Sequence, residues 1–234
     1  MNILYVGNFA DRDSPLGYSP NAEWISRVFE ALGHTITRYD EFITTTAQIL
    51  QELKNRRYDL LLTEEARLKG DFQNDEKAGK DILLGYFKPV QEHCKDKKIP
   101  IVAWITNIFM PILRREIQVY QNPIFKADIV FSTDGGHNDK FKEAGVNHVC
   151  LRQGIYLPEA VLGTANPDIH EEVAFIGAVY EHIWAYRAKL VRWLDNTYGK
   201  SFAHIGQKGE VRHQDLSDYI ASVKIVVGDS VYSP

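Results

Sequence analysis

The residues best suited to chemistry lie between Glu172 and Arg187, in the segment EVAFIGAVYEHIWAYR. Val173 to Ile176 form a short apolar run that ends at Gly177, which is typical of a buried strand followed by a turn. A helical pattern follows, in which one face is shared by Ile183, Leu190, Leu194 and Tyr198. A strand, a glycine turn and a helix begin many nucleotide-binding α/β units, because open N–H groups at a helix start attract phosphate. The segment therefore predicts an anion site.

Arg187 is the charged residue of this pattern. It falls four residues after Ile183 and three before Leu190, so we expect it on the otherwise apolar face of the helix. A guanidinium in that position can bind an anion, form an internal ion pair with a carboxylate, or extend from the core so that its charged end reaches water. The sequence leaves all three open.

Other reactive patterns are absent from the sequence. There is no GxxxxGK[ST], no GxGxxG and no GxSxG, which argues against an NTPase, a dinucleotide cofactor and a serine hydrolase. Cys94 and Cys150 lack metal or redox spacing, and the histidines show no HxxxH. Asp11 to Asp13 match the DxD pattern of metal-chelating transferases, but we interpret them as a turn because no third ligand is in view. Neither a metal nor a cofactor is predicted.

The composition of the chain narrows the range of possible protein classes further. The chain has 234 residues, of which 44% are hydrophobic and 25% charged, values typical of a globular protein. The net charge of -4 argues against general nucleic-acid binding. Lys95 to Lys98, interrupted by Asp96, are interpreted as a helix end, where cations suit the dipole. The start of the chain, MNILYVGNF, reads as a strand and no run approaches the length of a membrane span, so we expect a cytoplasmic protein.

Strands and helices alternate from residue 1 to residue 160. The predicted strands are Asn2–Val6, Thr35–Tyr39, Tyr58–Thr63, Ile99–Ile105, Ala127–Ser132 and Val146–Leu151. The predicted helices include one that starts at Pro20 and ends at Gly33, then Ile43–Arg57, Ile82–Cys94, Pro111–Tyr120 and a short one that ends at Gly145. The first helix is expected to bury Trp24, Ile25, Val28, Phe29 and Leu32. The polar segment Glu64 to Lys80 is a lid over a site or, as we favour, a solvated insertion.

A second, smaller domain is predicted over residues 170–234, after a linker marked by Pro158, Gly163 and Pro167. Its elements are a strand to Ile176, a helix to Tyr198, a strand Phe202–Ile205, a helix Asp215–Ala221 and a strand Lys224–Val227. The predicted class is α/β, with two Rossmann-like doubly wound parallel-sheet domains. Because three strands make a small core, we expect the second domain to be incomplete, which favours a homodimer or a partner subunit.

Four stretches carry a resemblance to a known family: FIGAVYEHIWAYR, SFAHIG, SVKIVVGDSVYSP and, in the first half, STDGGHNDKFKEAGVNHVCLRQGI. They resemble the glycosyltransferases related to the CgeB spore-maturation proteins. These are GT-B enzymes, in which two Rossmann-like domains hold a nucleotide-sugar between them, mostly through the second. Family members continue past the GDSVYSP run into an acidic sugar- and ribose-binding motif that this sequence does not contain.

The resemblance implies a donor site in the second domain. Gly177 and Tyr180 would border the diphosphate and Arg187 would neutralise it, as a diphosphate leaving group without a metal requires. Gly206 would lie near the nucleotide. Asp229, Ser230 and Tyr232 point to the same edge, although a plain Gly-Asp turn explains them equally well.

The first domain supplies the acceptor side of this hypothesis. Gly7 and Asn8 are expected at the cleft, because they follow the first strand at its carboxyl end. Asp13 and His137 are candidates for a base or an orienting group, with surface residues as the alternative. Asn107 is an acceptor contact or, with Trp104 in the core, a cap for the next segment.

The predicted function is transfer of a sugar from a nucleoside-diphosphate sugar to an unknown acceptor, without a metal. The alternatives are a non-catalytic binding or scaffold module of the same fold and, more weakly, a phosphosugar epimerase.

Overall fold

The computed structural model describes residues 1–9, 20–41, 43–64, 87–105, 123–133, 138–151, 157, 160–177, 179, 185–205 and 213–228. The chain divides into two compact units, Met1–Gly154 and Ile155–Pro234. Several predicted features lie outside the described residues: the helix Pro111–Tyr120, the polar segment after Glu64, and the candidate residues Asp13, Asn107, His137, Tyr180, Gly206, Asp229, Ser230 and Tyr232.

Unit 1 is built on a parallel sheet. Its strands are β1 (Asn2–Gly7), β2 (Thr35–Asp40), β3 (Leu60–Thr63), β4 (Ile101–Ile105), β5 (Ile129–Ser132) and β6 (His148–Cys150). They pair in the order β2-β1-β3-β4-β5-β6. The chain passes from β1 to β2 on one side and then returns to place β3 on the other side of β1. The point between β1 and β3 is therefore the topological switch, where open α/β sheets bind ligands at their carboxyl edge.

The helices of unit 1 are α1 (Pro20–Ala31), α2 (Thr46–Asn55), α3 (Phe87–Lys97) and α4 (Asn138–Glu143), with a 3-10 turn at Pro123–Lys126. The start of α2 is fixed by a capping box, in which Thr45 and Gln48 each accept the backbone N–H of the other. It therefore begins three residues later than predicted. The end of α3 lies at Lys97 rather than Cys94, and Lys98 then takes a positive φ of 56°.

Helices cover both faces of this sheet, as the doubly wound class requires. Side chains of α2, α3 and α4 share one core cluster with Leu4, Val6 and Leu61, whereas α1 packs on the opposite face with Ile3, Tyr5 and Leu62. The buried stripe predicted for α1 is partly wrong. Val28 is 44% exposed and Leu32 66% exposed, while the small residues Ala22 and Ser26 are fully buried.

Unit 2 contains β7 (Val173–Ile176), α5 (Ala185–Tyr198), a 3-10 turn (Gly199–Ser201), β8 (Phe202–Ile205), α6 (His213–Ser222) and β9 (Ile225–Val227). The three strands form a parallel sheet in the order β8-β7-β9, so β7 is central. Val173, Phe175 and Leu194 make its core, whereas Tyr198, expected on the buried face of α5, is 40% exposed. Across the described ranges of both units, no helix combines the length and apolar character needed to cross a membrane.

Candidate functional site

At the carboxyl edge of the sheet in unit 1, the predicted site residues Gly7 and Asn8 lie beside Glu64, which the sequence analysis assigned to a polar segment. Val6 is paired with Thr63, and Thr63 with Ala103. The next residues along each strand, Gly7, Glu64 and Trp104, therefore follow one another across the edge. Gly7 and Asn8 lie at the end of β1 as expected, and Glu64, at the end of β3, faces them across the switch point.

Glu64 is the central polar group of this edge. It is only 6% exposed, and each of its oxygens accepts a hydrogen bond: Oε1 from the Tyr5 hydroxyl at 2.9 Å and Oε2 from the Asn8 N–H at 3.1 Å. A buried carboxylate without such partners would cost several kcal/mol, on the order of 1–3 for each hydrogen bond that is not made. Glu64 thus ties the loop after β1 to the end of β3.

Burial raises the pKa of Tyr5 far above its ordinary value, and the negative charges of Glu64 and Glu41 raise it further. Tyr5 therefore stays protonated and acts as a hydrogen-bond donor, not as a base. Glu41 is itself 3% exposed, and its N–H donates to the carbonyl of Gly7 at 3.0 Å. Two buried carboxylates around one tyrosine make this edge a strong acceptor of hydrogen bonds.

Trp104 supplies a donor at the same edge. Its ring packs edge-on against Phe131, with centroids 6.1 Å apart, and it belongs to the core cluster of Tyr5 and Leu62. The indole Nε1 is nevertheless buried without a hydrogen-bond partner among the described residues. Buried donors of this kind are rare in native proteins and call for a water or a ligand.

Gly7 permits the close packing behind this edge. A Cβ at this position would lie 2.9 Å from Cε2 of Tyr5 and 3.3 Å from the Cβ of Ala22. The ring that donates to Glu64 and the small buried face of α1 both need the space that a side chain would fill. Gly7 is therefore a packing residue at this edge of the sheet.

The carboxyl edge of β7 in unit 2 has a different character. Gly177 has a φ of 145°, a conformation that favours glycine. Its N–H donates to the carbonyl of Ile205 at 2.8 Å, and its own carbonyl is 2.8 Å from Nε2 of His204. The N–H of Gly177 is therefore used within the sheet, and what Gly177 offers a ligand at its border is the absence of a side chain.

Arg187 lies in the first turn of α5 and is half-buried. Its guanidinium carbon stands 5.9 Å from the centroid of the Phe175 ring, a cation–π geometry. His204 contacts the same ring edge-on, with centroids 5.6 Å apart. A cation and an imidazole thus flank the buried aromatic residue that lies two positions before Gly177. This arrangement keeps the positive charge near the carboxyl edge of β7.

A third polar group was missed by the sequence analysis. The Ser132 hydroxyl lies 2.7 Å from Nε2 of His148, whose Nδ1 lies 2.9 Å from Oδ1 of Asn138. The connectivity is that of a nucleophile, a base and an orienting amide. Ser132 is fully buried, however, so a substrate cannot reach its hydroxyl. The chain of contacts instead fastens the end of β5 to β6 and to the start of α4.

These residues were missed because they are distant in sequence and meet only through the pairing of β5 with β6, where Val130 lies beside His148. For Glu64 a signal was available: an acidic residue directly after a buried parallel strand lies at the ligand edge of the sheet. In the part of the chain that the structure describes, no three histidine, cysteine or acidic side chains are grouped to hold a metal ion.

A scan against models of known protein families gave no match, and a search of curated proteins found no significant similarity. The class of the protein therefore follows from its fold: it is an α/β protein with two Rossmann-like parallel sheets, one of six strands and one of three.

Proposed function

We propose that this protein is a glycosyltransferase of the GT-B type, which transfers a sugar from a nucleoside diphosphate to an acceptor hydroxyl without a metal ion. The observation that carries the proposal is the pair of parallel sheets, each with polar or cationic groups at its carboxyl edge. Open α/β sheets bind their ligands at that edge. Unit 1 has a hydrogen-bonded polar edge around Glu64 and Asn8, and unit 2 has a cation suited to a diphosphate.

Unit 2 is the donor-binding unit in this proposal. A diphosphate leaving group gathers negative charge as the sugar departs, and a guanidinium with several N–H donors stabilises it. The Arg187 guanidinium carbon lies 5.9 Å from the centroid of the Phe175 ring, and a guanidinium recognises phosphate oxygens through its N–H groups. Gly177, Tyr180, Gly206, Asp229, Ser230 and Tyr232 complete the donor site in the same proposal.

Unit 1 is the acceptor-binding unit. Gly7 and Asn8 border the acceptor site in this proposal, and Glu64 holds the loop after β1 in place by accepting the Asn8 N–H. Asp13 and His137 remain the candidates for the base, and Asn107 for an acceptor contact. Glu64 is better suited to positioning than to proton transfer, because both of its oxygens already accept hydrogen bonds from Tyr5 and Asn8.

The test is a thermal-shift panel with UDP, GDP, dTDP and CDP. Binding of one nucleotide at a hundredfold excess over Kd should stabilise the native state by about 2.7 kcal/mol. Arg187→Met should abolish the shift, because methionine keeps an apolar stem over Phe175 and removes the charge. Arg192→Met, on the exposed side of the same helix, is the matched control and should keep the shift.

The proposal fails if no nucleotide raises the melting temperature, or if Arg187→Met responds as the wild type does. A second candidate, a non-catalytic binding module of the same fold, is favoured by the use of Glu64 to hold the chain rather than to move protons. It predicts the nucleotide shift with no release of nucleotide from any nucleotide-sugar, with or without acceptors. Release of UDP or GDP would exclude the module.

A further inference from the structure

Unit 1 carries two adjacent crevices at the amino edge of its sheet, the opposite end from Glu64. The larger, of about 640 Å³, lies between α3 and the 3-10 turn, where β4 and β5 begin. The smaller, of about 600 Å³, lies between the carboxyl ends of α2 and α3. Lys98 and Ile99 line both crevices, so the two form one continuous surface.

This surface is basic, although the chain as a whole has a net charge of -4. Eight cationic side chains line it: Lys54, Arg56, Arg57, Lys88, Lys95, Lys97, Lys98 and Lys126. Three carboxylates also line the surface, and two of them accept hydrogen bonds from backbone N–H groups. Asp59 accepts the N–H of Asn2 at 2.8 Å, and Asp128 accepts the N–H of Ile101 at 2.7 Å, which fixes the starts of β1 and β4.

Most of the cations are not neutralised locally. Ion pairs join Arg56 to Glu52 at 3.5 Å, Lys88 to Glu92 at 3.9 Å and Lys97 to Asp96 at 3.0 Å. The remaining five make no ion pair with the part of the chain that the structure describes: Lys54, Arg57, Lys95, Lys98 and Lys126.

The helix dipoles balance only part of the positive charge of these five cations. The carboxyl end of each helix carries about half a negative charge, so the ends of α2 and α3 balance roughly one cation. The smaller crevice has a further uncommitted group. Its lining includes His93, whose Nε2 is buried and has no hydrogen-bond partner within the described ranges. A surface with several unpaired cations around a concave floor is suited to an anion of high charge.

We propose that these crevices form a binding site for a ligand that carries several phosphate groups, with Lys98 between them. Ammonium groups on flexible stems bind phosphate as point charges and need no fixed orientation. Single-stranded nucleic acid fits less well, because it needs exposed aromatic rings for stacking. The tyrosine of the described lining, Tyr58, is 5% exposed and its hydroxyl is bonded to Glu52 and Thr37. The site is independent of the glycosyltransferase proposal.

The experiment measures binding of tripolyphosphate by calorimetry at low salt, with a triple variant, Lys95→Gln/Lys98→Gln/Lys126→Gln. The control, Lys142→Gln/Lys189→Gln/Lys200→Gln, removes the same charge from exposed lysines elsewhere. We expect the wild type and the control to bind alike, and the first variant to bind at least roughly tenfold more weakly. Both variants should melt as the wild type does, because the lysines replaced are exposed or unpaired.

A second arm identifies the source of the phosphate. Vesicles with about 30% phosphatidylglycerol are sedimented with each variant, beside neutral vesicles. Binding of tripolyphosphate alone supports a soluble ligand, and binding of anionic vesicles, abolished only in the first variant, supports a lipid headgroup. The proposal is overturned if neither probe binds, if the control variant is weakened as much as the first, or if a single-stranded oligonucleotide binds more tightly than either phosphate probe.

Discussion

Replacing Glu64 by methionine is expected to destabilise unit 1 by about 3 kcal/mol. The side chain is 6% exposed and accepts hydrogen bonds from the Tyr5 hydroxyl and the Asn8 N–H. Methionine has a similar volume but accepts neither bond well, so two buried donors are left without an acceptor, at roughly 1–3 kcal/mol each. Release of a buried carboxylate to water in the unfolded chain offsets part of that cost.

The conservative variant separates charge from hydrogen bonding. In Glu64→Gln the amide oxygen accepts from Asn8 and the amide nitrogen donates to the Tyr5 oxygen, so both contacts persist without charge, but the buried Tyr5 O–H loses its acceptor. We expect a decrease of about 2 kcal/mol in the free energy of unfolding, smaller than for Glu64→Met because only one buried donor is left unsatisfied. Tyr5→Phe, made in the wild type and in Glu64→Met, completes a double-mutant cycle. The coupling energy between the two substitutions should reach about 1.5 kcal/mol.

Urea unfolding followed by tryptophan fluorescence measures these changes, and the transition that alters the signal of Trp104 reports on unit 1. The comparison is confined to that transition, because a chain with two units need not unfold in one step. Glu143→Met, at an exposed glutamate of α4, is the control and should change stability by no more than about 0.5 kcal/mol. A coupling energy below about 0.5 kcal/mol would refute the view that Glu64 ties the loop after β1 to the end of β3.

Three further results are expected. Gly163→Ala should destabilise unit 2 by about 1–3 kcal/mol in urea, because a Cβ there would lie 1.8 Å from the carbonyl oxygen of Ser217. Gly228→Ala, whose Cβ would meet no atom of the described residues within 4 Å, should not. A disulfide reagent should label Cys150 in the native protein and Cys94 only after denaturation, since Cys94 is buried and burial raises its pKa to about 12; a second fast thiol in the native state would contradict this. Because its pKa is raised in the folded protein, the protonated Cys94 thiol contributes to stability. This contribution is complete below pH 9 and is lost as the pH rises towards about 12. Between pH 9 and 10 the free energy of unfolding should fall with a slope approaching about 1.4 kcal/mol per pH unit, and Cys94→Ala should remove that component; an unchanged slope would show that the thiol does not titrate with unfolding.

The strands and the parallel class were predictable because buried parallel strands are apolar throughout. The run Asn2 to Val6 and the run Ile101 to Ile105 both proved central to the sheet, and their residues fill both faces of the core. Glycine at helix ends was equally informative: Gly33 and Gly145, predicted to close α1 and α4, have φ values of 83° and 69°. These features depend on local sequence, so local sequence predicts them.

The buried face of α1 was not predictable in the same way. The hydropathy pattern favours Val28 and Leu32, yet the fully buried residues are the small Ala22 and the polar Ser26. Its hydroxyl donates to the carbonyl of Glu23 at 3.0 Å and accepts the Nε–H of Arg38 at 2.8 Å, so its polarity is satisfied inside the fold. The helix approaches β1 through small residues above Gly7, and that close approach decides its orientation. A hydrophobic pattern cannot show which partner surface has room.

Glu64 illustrates the same difficulty at the candidate site. As the first residue of a polar segment, it was interpreted as the start of a solvated insertion, which is the usual place for a glutamate. Its burial depends on donors that come from β1 and the residue after it, 56 and 59 residues away in the chain, and on a tyrosine whose raised pKa keeps it a donor. The cost of removing a carboxylate from water is met by these hydrogen bonds, which exist only after β1 and β3 have paired. A polar residue directly after a central strand should therefore be judged by the donors that the neighbouring strand brings to it, and at a switch point it is a site candidate before it is a loop residue.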